Sequence, residues 1–147
     1  MSHKFSTDLQ FQVRERAGYL CEYCHANESW QHVRFTIDYV IPLDAGGTDD
    51  IGNLCLACFP CNRRKSNRLE VNDNLTGIVV PLFNPRKDKW PAHFIWSNNG
   101  MRVLPLTATG RATIELLQFN LARVQLIREA DVMVNRHPPT NDPVVAS

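Results

Sequence analysis

The sequence has no apolar run approaching the roughly 20 residues needed to cross a bilayer. Its opening, "MSHKFSTDLQ", lacks the apolar core of a signal peptide. A membrane span and a secretory leader are therefore not expected, and the cytoplasm is the expected compartment. There is no internal repeat or low-complexity tract, which argues against a solenoid or a long linker. Net charge is also scarce, +1 over 147 residues, so the chain as a whole does not attract a polyanion. What remains is ordinary: 44% apolar and 21% charged residues fit a globular protein about one domain long, with enough chain to bury a core.

Local patterns are more informative. "STDLQFQVRERAGYLCEYC" predicts a short helix with Ser6 or Thr7 as N-cap and Gly18 as its stop, and Leu9, Val13 and Ala17 on one face. "VRFTIDYVIP" is β-branched and aromatic, a strand ended by Pro42. A Gly/Asp-rich loop, "LDAGGTDDIGN", leads to a second short strand around Leu54 to Leu56, and a helix carrying "CNRRKSNR" follows Cys58. Beyond residue 69 the chain is richer in Pro, Asn and Gly, an ordered excursion with short extended pieces. "HFIWSNNGMRVLPL" predicts a hairpin turning at Asn99-Gly100. Ile114, Leu117, Leu121, Val124 and Ile127 recur at helical spacing and predict one long helix from Thr109 to about Val134, before a loose tail "HPPTNDPVVAS".

Two Cys-x-x-Cys pairs, Cys21/Cys24 and Cys58/Cys61, lie about thirty residues apart. In a reducing compartment, two such knuckles point to a tetrahedral zinc site rather than to disulfides. Four thiolates leave zinc no open position, so this ion would be structural, tying the first helix region to the helix after Cys58. Cys55 lies outside both knuckles and reads as a small buried hydrophobe. Charge is concentrated where it is scarce overall: Arg63, Arg64, Lys65 and Arg68 form a run without an acid, a surface for phosphates or simply a solvated helix face.

Together, "CEYC", "FTIDYVIPLDAGGTDDIGNL" and "CFPCNRRK" resemble the zinc-containing HNH endonucleases, over about residues 13 to 68. The stretch from "PLFNPR" to "HPP", with "HFIW" and "GRAT", is similar to the extension of many small free-standing bacterial members. The resemblance implies an α+β fold: a ββα-metal core with a structural four-cysteine zinc site, an N-terminal helix, and a C-terminal hairpin plus long helix. Residues 1–68 would be the zinc-stapled domain and 69–147 an extension packed on it as one globular unit. By this resemblance Asp38 ligates a divalent metal and Asn62 completes the protein's share of that ion. Asn53 braces the loop against the catalytic strand, and Tyr39 falls where the family has a water-activating histidine.

Phosphodiester hydrolysis needs a nucleophilic water, a proton acceptor and positive charge on the phosphate. Mg²⁺ or Mn²⁺ suits an Asp carboxylate and an Asn amide oxygen. Tyr39 is the departure. A phenol with a pKa near 10 is ionised at roughly one part in a thousand at neutral pH, a penalty of about 4 kcal/mol relative to a free-base histidine. Strand alternation groups Tyr39 with Phe35, Ile37 and Ile41, away from Asp38, as a core aromatic. Strands bend and bulge near active sites, so a base or water-orienting role stands beside that reading. Asp44, Asp49 and Asp50 read as turn formers, His25 and His32 as surface imidazoles or surrogate bases, and Trp90, Phe94 and Trp96 as packing residues or base-stacking platforms. Two functions follow: a metal-dependent endonuclease acting on DNA, or a weak or inactive zinc module that binds nucleic acid or a protein partner.

Overall fold

A computed structural model describes residues 5–146. Its contacts divide the chain into two units, one ending at Asn67 and the other beginning at Arg68. Helices mix with three two-stranded antiparallel sheets, the α+β composition expected. Among the described residues no helix is long and apolar enough to cross a membrane.

In the first unit, helix α1 (Thr7–Ala17) begins where the Ser6 hydroxyl accepts from the Leu9 amide at 3.1 Å, and it stops at Gly18 with φ 64°. It buries Val13 and also Arg14, which pairs with Glu28 at 2.9 Å and donates to the Phe35 carbonyl at 2.9 Å. Glu28 in turn accepts from the Phe35 amide at 2.7 Å, so the buried pair has its hydrogen bonds made. Strand β1 (Thr36–Tyr39) pairs antiparallel with β2 (Leu54–Ala57), in a register that sets Asp38 opposite Cys55 and Tyr39 opposite Leu54. All four residues of β2 are buried, and α2 (Phe59–Lys65) follows with Pro60 in its first turn. The predicted first strand is shortened at its C-terminal end because its backbone donors change partner there. The Val40 amide donates to the Asn53 carbonyl at 2.9 Å, and the Ile41 amide to the Asn53 side chain at 2.9 Å.

The second unit contains β3 (Glu70–Asp73) paired with β4 (Ile78–Pro81), and α3 (Trp90–His93) running into β5 (Phe94–Trp96), which pairs with β6 (Val103–Pro105). A chain of ring contacts through Phe83, Phe94, Trp90, Trp96 and Phe119 fills its core, so Trp90, Phe94 and Trp96 pack rather than stack on a ligand. Helix α4 (Ala108–Leu117) starts so close to α3 that a Cβ on Gly110 would lie 2.2 Å from the His93 carbonyl oxygen.

Three expectations are corrected here. The single long helix is two, α4 and α5 (Ala122–Met133), separated at Gln118, which has φ 52°. The break lets Phe119 enter the core and lets the Asn120 side chain pair with both backbone groups of Val103 at 2.9 Å, and Arg128 caps the Phe119 carbonyl at 2.6 Å. Helical spacing runs across that break without registering it. The 94–105 hairpin turns through a longer loop than Asn99-Gly100 alone, with positive φ at Gly100 but not at Asn99. The described part of the tail is not loose: Asp142 accepts from the Trp96 indole at 2.9 Å, and Val144 bridges Trp96. Ser147 lies outside the described residues.

Asp73 is buried beside Arg111, which donates to it at 2.9 and 2.7 Å, with the Thr76 hydroxyl adding a bond at 2.8 Å. Hydrogen bonds from Arg111 hold the Asp73 carboxyl well below the usual range. A depressed folded-state value contributes stability that is present above the unfolded carboxyl's value, near 3.9, and is lost as pH falls through the folded value. Asp73→Asn is therefore expected to lower the melting temperature at neutral pH and to flatten its decline in acid. The near-UV tryptophan signal followed during heating over a pH series checks this.

Candidate metal centre and active site

The first cysteine knuckle is shaped by its backbone. The Cys21 amide donates to the Ala26 carbonyl at 2.8 Å and the His25 amide to the Cys21 carbonyl at 2.9 Å, with His25 at φ 63°. It is tied to β2 by the Glu22 amide, which donates to the Leu56 carbonyl at 2.8 Å, and by the Glu22 carboxylate, which accepts from the Leu56 amide at 2.9 Å. The second knuckle opens α2: Cys58 precedes the helix and Cys61 lies in its first turn. The Sγ atoms of Cys21, Cys24, Cys58 and Cys61 all lie within 4.8 Å of one another, and those of Cys24 and Cys58 are 3.8 Å apart. A tetrahedron with Zn–S bonds of about 2.3 Å has edges of about 3.8 Å, so the donor set fits zinc in both chemistry and spacing. The sulfurs share protons unequally. Hydrogen bonds with Cys21, Cys58 and Cys61 hold the Cys24 thiol well below the ordinary value, while the same crowding pushes Cys58 and Cys61 up. A divalent cation relieves that competition by displacing the protons. Cys55 is buried outside the cluster, its thiol 3.8 Å from the Tyr23 hydroxyl.

α2 also faces β1. One terminal atom of the Asn62 amide lies 3.1 Å from both carboxylate oxygens of Asp38. With Nδ2 in that place the amide donates to Asp38 and its oxygen accepts from the Thr36 hydroxyl at 3.3 Å. With Oδ1 there, three oxygens converge with no proton between them, an arrangement a hard cation satisfies. Adjacent oxygens around Mg²⁺ stand about 2.9 Å apart, close to this spacing. Lys65 is only 2% exposed, and its ammonium donates to the Tyr39 carbonyl at 3.2 Å and stands 4.0 Å from Asp38 Oδ2. Burial raises the Asp38 carboxyl to about 6, against the opposing pull of Lys65. Lys65 thus departs from its expected place on a phosphate-docking surface: its charge is spent inside, on the strand that carries Asp38.

The loop between β1 and β2 is clamped onto the strand. Asn53 accepts from the Ile41 amide and donates to the Ile41 carbonyl, both at 2.9 Å, and donates to the Thr48 carbonyl at 3.0 Å. Gly47 sits so close that a Cβ there would lie 1.8 Å from the Ile41 oxygen. Arg16 reaches over from α1 to the Ile51 carbonyl at 2.8 Å and to the Leu54 carbonyl. On this loop Asp49 accepts a hydrogen bond of 2.6 Å from the Tyr39 hydroxyl, and the Tyr39 ring meets Phe5 edge-on at 5.8 Å.

The family model for HNH endonucleases matches residues 21–68. That match covers about a third of the chain. No curated protein and no solved structure matches the chain. The matched segment runs from the first zinc-type cysteine to the end of the basic run, so it contains both knuckles, β1, β2, α2 and the clamped loop.

The remaining candidates fall outside the centre of this site. Arg63 is exposed with its guanidinium 5.6 Å above the Phe59 ring, and Arg64 is half-buried on the same helix. Arg68 is exposed at the start of the second unit. His25 is part of the knuckle turn and His32 is exposed. Asp44 lies in the short turn Leu43–Ala45, and the Asp50 amide bonds the Thr48 hydroxyl at 3.3 Å. Sequence reasoning did not foresee the links of Glu22 to β2, of Arg16 to the loop, or of Asp49 to Tyr39. Each joins residues from 10 to 38 positions apart, and no local spacing marks them.

Purified protein is expected to contain one zinc ion per chain. Cys58→Ser, or a strong chelator, should unfold the first unit, because metal affinity in such sites is folding free energy, of order 10 kcal/mol. Metal analysis with circular dichroism before and after chelation checks both points.

Proposed function

We propose that the HNH domain is a metal-dependent endonuclease acting on DNA. The observation that carries this reading is the approach of the Asn62 amide to both Asp38 carboxylate oxygens at 3.1 Å, beside a clamped loop and within a domain of this family. Asp38 and Asn62 would hold Mg²⁺ or Mn²⁺, which when bound supplies charge to the phosphate and acidifies water. The rest falls to the chain's own residues. Lys65 fixes the strand carbonyl beside Asp38, Asn53 fixes the loop, and Tyr39 occupies the sequence position of the family's histidine. Arg63, Arg64 and Arg68 would dock backbone phosphates, which sets register without reading bases. Reduced thiols placed for a metal suit the cytoplasm.

One observation favours the second reading, a binding module without activity: Tyr39 donates its proton to Asp49 and so does not offer itself as a free base. Cleavage decides between the two. Supercoiled plasmid with Mn²⁺ is expected to be nicked by the native chain, and Asp38→Ala is expected to slow nicking by roughly a hundredfold or more. Arg63→Ala is expected to weaken DNA binding at all sequences alike and to reduce the slope of log affinity against log salt by about one. A native chain that binds DNA with that salt dependence but leaves plasmid intact would establish the module.

A further inference from the structure

The proposed reaction leaves Thr36 without a role. Alternation along β1 sets this residue on the same side as Asp38, facing α2. Its hydroxyl donates to the Ala57 carbonyl at 3.1 Å, and its oxygen lies 3.3 Å from the terminal atom of the Asn62 amide that points away from Asp38. The Ala57 carbonyl does not depend on that hydroxyl. The Val40 amide donates to the Asn53 carbonyl, and hydrogen-bonded pairs alternate along an antiparallel ladder, so Thr36 and Ala57 form such a pair and the carbonyl already takes the Thr36 amide. A hydroxyl has one proton to give and two lone pairs. When the proton goes to Ala57, the oxygen is left to accept, and the amide turns Nδ2 toward Thr36 and Oδ1 toward Asp38. When the proton goes to the amide oxygen, Nδ2 faces Asp38 and donates to its carboxylate oxygens at 3.1 Å.

We infer that Thr36 is a positioning residue whose rotating hydroxyl decides which end of the Asn62 amide meets Asp38. This role rests on the nuclease reading, in which Asp38 and Asn62 hold Mg²⁺ or Mn²⁺, and deepens it. At rest the Thr36 proton goes to Asn62, the amide donates to the carboxylate, and each polar atom of the trio has a partner. The gap is then shut to cations. In the other setting the Thr36 proton goes to Ala57, Nδ2 donates to Thr36, and the oxygens of Asp38 and Asn62 converge as a hard divalent cation requires. The exchange needs no backbone movement. The Asn62 amide N–H stays bonded to the Cys58 carbonyl at 2.9 Å, and only the terminal torsion of a half-buried side chain turns over. Without the hydroxyl, the second setting leaves Nδ2 against a methyl group. An N–H without an acceptor is the costlier orphan, so removing the hydroxyl favours the resting setting.

Thr36→Val keeps the branched shape of the strand residue and removes the hydroxyl, whereas Thr36→Ser keeps the hydroxyl. With the full zinc-loaded chain, plasmid nicking is followed against Mn²⁺ concentration. Thr36→Val is expected to raise the half-saturating Mn²⁺ concentration roughly tenfold, the loss of one hydrogen bond, with the rate at saturating Mn²⁺ and the zinc content unchanged. Thr36→Ser should behave as the native chain. A purely structural residue would instead lower the melting temperature and the saturated rate and leave the Mn²⁺ midpoint in place. A readout independent of activity accompanies this. The Asn62 side-chain amide protons, assigned by their loss in Asn62→Ala, should stand downfield in the native chain and move upfield as Mg²⁺ is added, and Thr36→Val should need about ten times more Mg²⁺ for the same move. Native cleavage with Asp38→Ala inactive and an unchanged Mn²⁺ midpoint in Thr36→Val would overturn the role of Thr36 and leave the nuclease reading standing. A chain that does not cleave but shows the amide movement, delayed in Thr36→Val, would keep that role and sink the nuclease. A chain that neither cleaves nor moves its Asn62 amide with Mg²⁺ would overturn both.

Discussion

The gathering of four sulfurs within 4.8 Å is the constraint on which the first unit depends. Two of them come from a turn after α1 and two from the start of α2, with β1, the loop and β2 lying between in the chain. Bringing the knuckles together closes that stretch into a loop and sets α2 against β1, which places Asn62 beside Asp38. The oxygens of the candidate site owe their meeting to sulfurs that lie outside it. Glu22 makes the link tighter, because it hydrogen-bonds β2 from within the first knuckle.

A second constraint acts at the strand's end. Pairing with β2 stops at Tyr39, and Asn53 takes over the backbone groups of Ile41. That substitution of a side chain for a strand is what turns the loop back over β1 and brings Asp49 to the phenol. It also leaves the alternation of the strand intact. Asp38 turns toward α2 and Tyr39 away from it, as period two requires, yet the returning loop gives Tyr39 a polar partner instead of a core.

How far the sequence discloses this varies with the range of the interaction. The cysteine knuckles were legible because metal ligands come in fixed spacings, and α1 was legible at both ends because Ser6 and Gly18 act locally. The approach of Asn62 to Asp38 and the hold of Asn53 on Ile41 join residues whose spacing alone gives no sign of contact. The break at Gln118 was hidden because apolar spacing continues across it, and the deciding bonds, from Asn120 to Val103 and from Arg128 to Phe119, are tertiary. Lys65 was misplaced for a related reason: a basic run reads as surface, and only the fold shows which of its members turns inward. The described tail is ordered by an indole and a carboxylate 46 residues apart, a contact composition does not report.

The inward lysine has a further consequence for how the site handles ions. An ammonium 4.0 Å from Asp38 already balances much of the carboxylate's charge, so a stray cation entering the gap finds little net attraction. A lysine folded into the interior thus does for Asp38 what solvent counter-ions do for a carboxylate on the surface.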